Sequence, residues 1–417
     1  MSVRLFVHYL QNTIGELALG ESSMMRFQYS TDWINSEHAF PISISLPLDG
    51  SFSTSASHHF FANLLPEGNV RQQICRSLGI SHSNDFQLLK AIGGDCAGAL
   101  TIDASSESEP KQFSARYEPV TDEQLALWSI GTPNAFSDVT GQNEVRLSLA
   151  GAQDKLPVHV DGEQIFIPIA DTPSTYLLKF ASPFYSQLPE NETFITLLAG
   201  AVGLPVIDIR LHQTSKARVA MIARYDRILS QGNYRRLHQE DFCQALGISS
   251  TNKYEKEGGP SLQQCAELIR RHTSFPLVEL QKLLRWSLFN LLVGNADAHG
   301  KNISLLYDTN GSPRLAPFYD LVCTRNYKKI TRHLAMSIGG LFDPDLIGKQ
   351  HLRTLASELN MRPNVVIAAT SALIEELPTA LTSTAAQFAD LYGDSPVLER
   401  LPVIIRKQIR RTQAALK

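Results

Sequence analysis

The run Gly294-Asn-Ala-Asp-Ala-His-Gly-Lys-Asn302 follows a long apolar stretch and precedes Ile303-Ser-Leu-Leu-Tyr307, the turn Asp308-Thr-Asn-Gly311 and Arg314-Leu-Ala-Pro-Phe-Tyr-Asp320. Asn-Gly between two apolar runs is the strongest short hairpin signal. A turn centred near Gly311 leaves Asn302 and Asp320 equidistant from it, so the ladder sets them side by side. An amide and a carboxylate at one hairpin mouth suit a hard cation such as magnesium, which takes oxygen ligands. Asp297 lies five positions before Asn302 on the incoming loop. A base Asp, a metal Asn and a second metal Asp after a hairpin is the spacing of a phosphoryl-transfer loop. Taken singly, each residue is explained by a polar loop capping a hairpin. Taken in register, the three favour a site.

The chain has 417 residues, more than one ordinary core holds, so two or three domains are expected. A net charge of -3 gives no global positive field pointing to nucleic acid or an anionic membrane. Cys75, Cys96, Cys243, Cys265 and Cys323 are odd in number and form no CxxC, which suits a reducing compartment and gives no zinc site. The first residues lack a signal-peptide core. The apolar stretch 277–293 carries Glu279, Lys282 and Arg285, so it reads as no membrane span. A cytoplasmic protein is the expectation.

Residues 1–30 alternate in polarity like short antiparallel strands, and 42–47 reads as another strand closed by proline. Helices are expected from Phe60 to about Leu78 and over 85–92. A glycine turn at 93–98 then leads to a strand. Residues 104–117 form a Ser/Glu/Pro/Lys-rich connector, so 1–105 is a small mixed module. Over 106–228 strands dominate, interrupted by a helix over 189–203 with Asn191 as N-cap. Over 229–417 helices dominate: 239–246, 261–272, 277–292, 345–359, 365–377 and 398–416. The expected fold is α+β and bilobal, a β-rich lobe followed by an all-α lobe, with the chemistry where they meet.

Lys179 sits in an apolar strand, and the next helix supplies Glu192. A buried ammonium is costly unless paired. Lys on a strand with Glu on the next helix is how a kinase positions phosphates; a lysine snorkelling to water is the plain alternative. Ser148-Leu-Ala-Gly-Ala-Gln-Asp-Lys155 joins two strands, either as a phosphate-covering loop or as a simple hairpin. Gln239, Glu240 and Asp241 are expected to cap or charge-pair a first helical turn. His299 orients the loop or is a satisfied core histidine. No GxSxG or HExxH occurs.

Several stretches together resemble the HipA family of serine/threonine-protein kinase toxins. In the second half these are residues 148–155, Leu177-Leu-Lys179, Asn191-Glu192, Arg224-Tyr-Asp-Arg227, His238 to Gly247, Asn295 to Asn302 and Pro317-Phe-Tyr-Asp320. Ser45-Leu-Pro47, Phe60 to Gly68 and Gly94 to Leu100 resemble the HipA amino-terminal subdomain. The resemblance spans nearly the whole chain and implies a kinase-like bilobal fold using ATP and Mg2+. It implies Asp297 as catalytic base, Asn302 and Asp320 as magnesium ligands, and Lys179 on the phosphates. Ala150, Gly151, Ala152, Gln153, Asp154 and Lys155 would cover the nucleotide, with Ala223 and Tyr225 at the hinge. Glu192, His299 and Lys301 would support the site. Ser148 matches the autophosphorylated position, where a phosphate adds about two negative charges and is expected to draw the loop off the nucleotide. An aminoacyl-tRNA synthetase, typically the glutamyl enzyme, is the implied substrate, slowing translation and favouring persistence. A HipB-like helix-turn-helix antitoxin is the implied partner, with DNA reached only through it and no membrane. Related sequences often carry Glu where Ala223 stands. Hinge contacts to adenine are mostly backbone, so ATP binding is expected to survive. Two other classes remain: a catalytically weak antitoxin-binding co-repressor, and a small-molecule or lipid kinase using the same residues.

Overall fold

The structure, a computed structural model, describes residues 4–417 apart from 21–22, 105–115, 131–134, 141–153, 171, 183, 231 and 309–310. The chain divides into two compact units. The first is Met1–Ser182, Gln213–Thr251 and Leu306–Gly311; the second is Pro183–His212, Asn252–Leu305 and Ser312–Lys417.

In the first unit a four-stranded antiparallel sheet runs in the order Met25–Tyr29, Asn12–Leu19, Arg4–Tyr9, Leu100–Asp103. Period-two alternation aims Leu5, Val7, Leu17, Phe27 and Ile102 inward, and all are buried. The helix Thr54–Ala62 covers the sheet edge. Its Ser57 hydroxyl accepts the Phe27 N–H (2.7 Å) and donates to the Met25 carbonyl (3.0 Å), as a neighbouring strand would. Phe60 and Phe61 of that helix fill the core. A second antiparallel sheet includes, in order, Tyr117–Pro119, Gln164–Pro168, Lys155–Asp161, Tyr176–Lys179 and Arg218–Ala223. One apolar cluster runs through both sheets, from Leu5 to Met221.

Two expected elements of this unit take another form. Residues 42–47 form no strand beyond an isolated Ser43–Leu46 bridge. Ser43 Oγ (2.5 Å) and Ile44 N (3.1 Å) turn instead to Glu240, which also accepts the Tyr307 hydroxyl. Gln239–Asp241 is a strand, not a first helical turn; Asp241 then caps the short helix Phe242–Ala245 in a capping box with Gln244.

Burial pushes the Glu240 carboxyl up to about 7, against the hydrogen bonds from Ser43, Tyr307 and Ile44. A carboxyl whose pKa is raised on folding loses stability as pH climbs from the ordinary range to the folded value. Buried His238, lowered to about 4, runs the other way, so the informative quantity is a difference between variants. The stability of Glu240→Gln relative to wild type should improve by about 3 kcal/mol between pH 5 and 8. Urea titrations at the two pH values read it, and a pH-independent difference would refute it.

The second unit is mostly helical: Leu188–Ala201, Leu262–His272, Pro276–Val293, Lys349–Glu358, Pro363–Tyr392 and Pro396–Leu416. Pro363–Tyr392 runs for 30 residues through Pro378, past the end expected at 377. Proline inside a helix costs about 3 kcal/mol, but Leu377, Ala380, Leu381, Thr384 and Phe388 continue a buried stripe across it. That helix is long and apolar enough to cross a membrane; the stripe packs it against its neighbouring helices.

Candidate active site

In the second unit the helix Pro276–Val293 delivers the loop that carries Asp297. Its last two turns are wholly buried, which fixes where the loop begins. Gly294 ends the helix with φ +73, and a Cβ there would lie 2.7 Å from Arg325 Cδ, so the position requires glycine twice over. Asn295 holds the next turn: its Nδ2 donates to Asn290 Oδ1 (2.9 Å) and its Oδ1 accepts the Asp297 N–H (3.0 Å). Thr324 Oγ1 accepts the Ala296 N–H (2.7 Å) and donates to the Gly294 carbonyl (3.0 Å).

Within this tied loop the Asp297 side chain is 51% exposed. Its Oδ1 accepts the Tyr254 hydroxyl at 2.5 Å, with His299 Nε2 at 3.8 Å. The Asp297 carbonyl accepts the His299 N–H (2.9 Å) and Asn302 Nδ2 (2.7 Å). The Asn302 side-chain oxygen has no hydrogen bond among the described residues. His299 and Lys301 are buried. Asp297 and Asn302 are therefore joined directly.

The segment carrying Asp320 is tied to the loop by another route than the expected ladder. Ala316 N–H donates to the Ser304 carbonyl (2.9 Å), which centres the hairpin one residue before Gly311. Phe318 then leaves the ladder to bridge Val206 in parallel, so Asn302 and Asp320 are not paired across strands. Tyr319 makes the link: its hydroxyl donates to the Lys301 carbonyl (2.8 Å) and lies 2.6 Å from Ser304 Oγ. Asp320 has φ +54, a left-handed conformation rare outside glycine and found preferentially at functional sites.

Asn191 does not cap its helix, whose N-cap is Gln187. It is buried and grips the chain beyond Asp320: Nδ2 donates to the Cys323 carbonyl (3.1 Å) and lies 3.1 Å from the Tyr327 hydroxyl, while Oδ1 accepts the Cys323 N–H (2.9 Å). Glu192 beside it is fully buried. Sequence reasoning missed Tyr254 and Thr324 and gave Asn295 no role of its own; no spacing links Tyr254 to a loop more than forty residues on.

In the first unit Lys179 is buried at the end of its strand and stands directly opposite Lys155. Cross-strand neighbours share a face, so the two ammonium groups lie on one side of the sheet. The Asp154 main-chain carbonyl accepts the Phe180 N–H at 3.4 Å. Ser148, Ala150, Gly151, Ala152 and Gln153 lie outside the described residues. Ala223 pairs with Tyr176, and the Tyr225 hydroxyl bonds Gln239.

The charged residues flanking Tyr225 have a structural explanation. Arg224 and Arg227 reach Asp95 (3.1 and 2.7 Å) and Asp226 (2.8 and 2.9 Å), all buried, with Arg236 at 3.3 Å from Asp95. Gly98 donates its N–H to Asp226 (2.7 Å), has φ +81, and a Cβ on it would stand 3.0 Å from the Gln239 nitrogen. Burial alone would raise the Asp95 carboxyl, but Arg224, Arg227 and Arg236 outweigh it and hold it well below the ordinary range.

Within the second unit, the side-chain oxygens of Asn302 and Asp320 have the chemistry of magnesium ligands. Among the described residues no group of three His, Cys, Asp or Glu forms a metal cage. Magnesium is usually held by one or two side-chain oxygens plus phosphates and water, which Asn302 and Asp320 can provide.

Residues 5–103 match the HipA N-terminal domain model and 147–381 the HipA-like C-terminal domain model. A candidate kinase of Sinorhizobium fredii, Y4mE, is 38% identical over 92% of each chain. The serine/threonine-protein kinase toxin HipA of Shewanella oneidensis is 32% identical over 89% of this chain and 88% of its own. In structure the chain resembles HipA from the Shewanella oneidensis complex with HipB and operator DNA: TM-score 0.85 and 29% identity, covering 98% of this chain and 97% of that one. The fold is α+β of that kinase-like type.

Proposed function

Since the chain belongs to the HipA family of serine/threonine-protein kinase toxins, we propose that it transfers the γ-phosphoryl group of ATP to a serine or threonine hydroxyl, with Asp297 as base. The observation that carries this is a half-exposed carboxylate on a loop whose other residues are buried. The acceptor hydroxyl gives its proton to Asp297 as its oxygen takes the phosphoryl group, and ADP leaves. Asn302 and Asp320 would hold magnesium, which neutralises charge on the phosphates. Lys179, with Lys155 opposite, would bind the phosphates, and Glu192 would support the site. Residues 150–154 would cover the nucleotide, Ala223 and Tyr225 would border the adenine, and His299 and Lys301 would support the loop.

In this reading 1–105 is the HipA-type amino-terminal subdomain, 106–228 the nucleotide lobe and 229–417 the catalytic lobe. The protein works in the cytoplasm, autophosphorylates at Ser148, and inhibits growth by phosphorylating an aminoacyl-tRNA synthetase, the glutamyl enzyme first among them. A HipB-like antitoxin binds it and carries it to DNA; the assembly of Shewanella oneidensis HipA with HipB and operator DNA supports that partner. The test is incubation with labelled ATP and magnesium, followed by mass spectrometry. Wild type should label itself at Ser148, and Ser148→Ala should lose that label while still binding ATP. A phosphate mapped elsewhere would remove Ser148. A sugar or lipid labelled far faster than protein would replace the acceptor class. No label on any acceptor would leave an antitoxin-binding co-repressor.

A further inference from the structure

We propose that Tyr254 is a positioning residue for phosphoryl transfer: its phenol anchors one oxygen of the Asp297 carboxylate and so aims the other at the acceptor hydroxyl. This rests on Asp297 being the base. The geometry is asymmetric. Oδ1 takes the Tyr254 hydroxyl at 2.5 Å and faces His299 Nε2 at 3.8 Å, while Oδ2 has no hydrogen bond among the described residues. An aspartate carboxylate otherwise turns over a broad range about its last torsion. One short, charge-assisted hydrogen bond removes that freedom.

The phenol is itself held from several sides. Its ring meets the buried His299 ring edge-on, with centroids 5.2 Å apart and planes at 89°. The Tyr254 carbonyl accepts the N–H groups of Glu257 and Gly259, each at 2.9 Å. Next along the chain, Glu255 donates its N–H to the Ala335 carbonyl (3.1 Å), and its carboxylate accepts Ser337 N (2.5 Å) and Oγ (2.9 Å). On the other flank the Lys253 carbonyl accepts the Gly300 N–H at 3.4 Å, from the Asp297 loop itself. The phenol and the carboxylate therefore belong to one braced assembly. Misplacing a reacting group by about 1 Å can cost on the order of 10²-fold in rate.

Tyr254→Phe keeps the ring packing and removes only the hydroxyl. It should lower kcat roughly 10- to 100-fold, with KM for ATP, nucleotide Kd and melting temperature close to wild type. Asp297→Asn, measured alongside, tests the reading beneath the proposal: if it is fully active, Asp297 is not the base, whatever Tyr254 does. If Asp297→Asn is impaired and Tyr254→Phe is not, the proposal fails by itself. In the Asp297→Asn background, single-turnover assays should find no further loss from Tyr254→Phe; an equal further loss would mean Tyr254 acts independently. A rise in kcat would identify the phenol as a block on the acceptor site, and a change confined to KM or melting temperature would identify a structural role. Either result would overturn the proposal.

Discussion

Asp297→Asn should reduce phosphoryl transfer about 10²- to 10⁴-fold, the range a positioned general base supplies, while nucleotide affinity holds. The expectation follows from the local bonding. Asp297 ties the loop together through its main chain, whose carbonyl accepts Asn302 Nδ2 and the His299 N–H and whose N–H reaches Asn295. Its side chain contributes one hydrogen bond, from Tyr254. Exchanging the carboxylate for an amide leaves the main-chain set intact and removes the proposed proton acceptor. Transfer assays on an acceptor peptide, with nucleotide binding followed by calorimetry, separate the two effects. Retention of more than a tenth of the wild-type rate would assign the base elsewhere.

Asp95→Asn should have the largest effect on folding. Two carboxylates, Asp95 and Asp226, face the guanidinium groups of Arg224, Arg227 and Arg236 with almost no solvent. Removing one partner of a buried charge set costs about 3–5 kcal/mol, because the remaining charges keep their desolvation penalty without compensation. At roughly 2–4 °C per kcal/mol, the melting temperature should fall by about 10 °C. The pH response has a definite sign: the folded pKa of Asp95 lies below its ordinary 3.8, so its contribution persists above that value and fades as the solution is acidified below it. A thermal scan at pH 7 showing less than about 2 °C of change would refute the expectation.

What could be read from the sequence was whatever depends on spacing. The alternation of Leu5 and Val7, and the closeness of Asp297 and Asn302 on one loop, are local and were legible. Bonds between distant positions were not. Residues 42–47 alternate like a strand, yet Ser43 Oγ and Ile44 N turn to Glu240, almost two hundred residues on. Asn191 has the side chain of an N-cap, but its partners are Cys323 and Tyr327. The hairpin turn was recognised and its centre misplaced by one residue, enough to break the pairing of Asn302 with Asp320, since strand register does not tolerate a slip. Asp95 stood in an evident glycine turn, with nothing near it to announce three arginines beyond position 220.

The apolar cluster from Leu5 to Met221 has a consequence for inheritance. The stretch matching the HipA N-terminal domain and the sheet within the C-terminal match bury their apolar faces in one interior. Neither can be exchanged for a homologous piece without a matching change in the other. Side-chain volumes across that seam must drift together, because packed interiors register even a single methylene. A chimera joined at the connector would therefore inherit two half-interiors shaped for absent partners. Its defect should lie in solubility and yield, before any question of catalysis is reached.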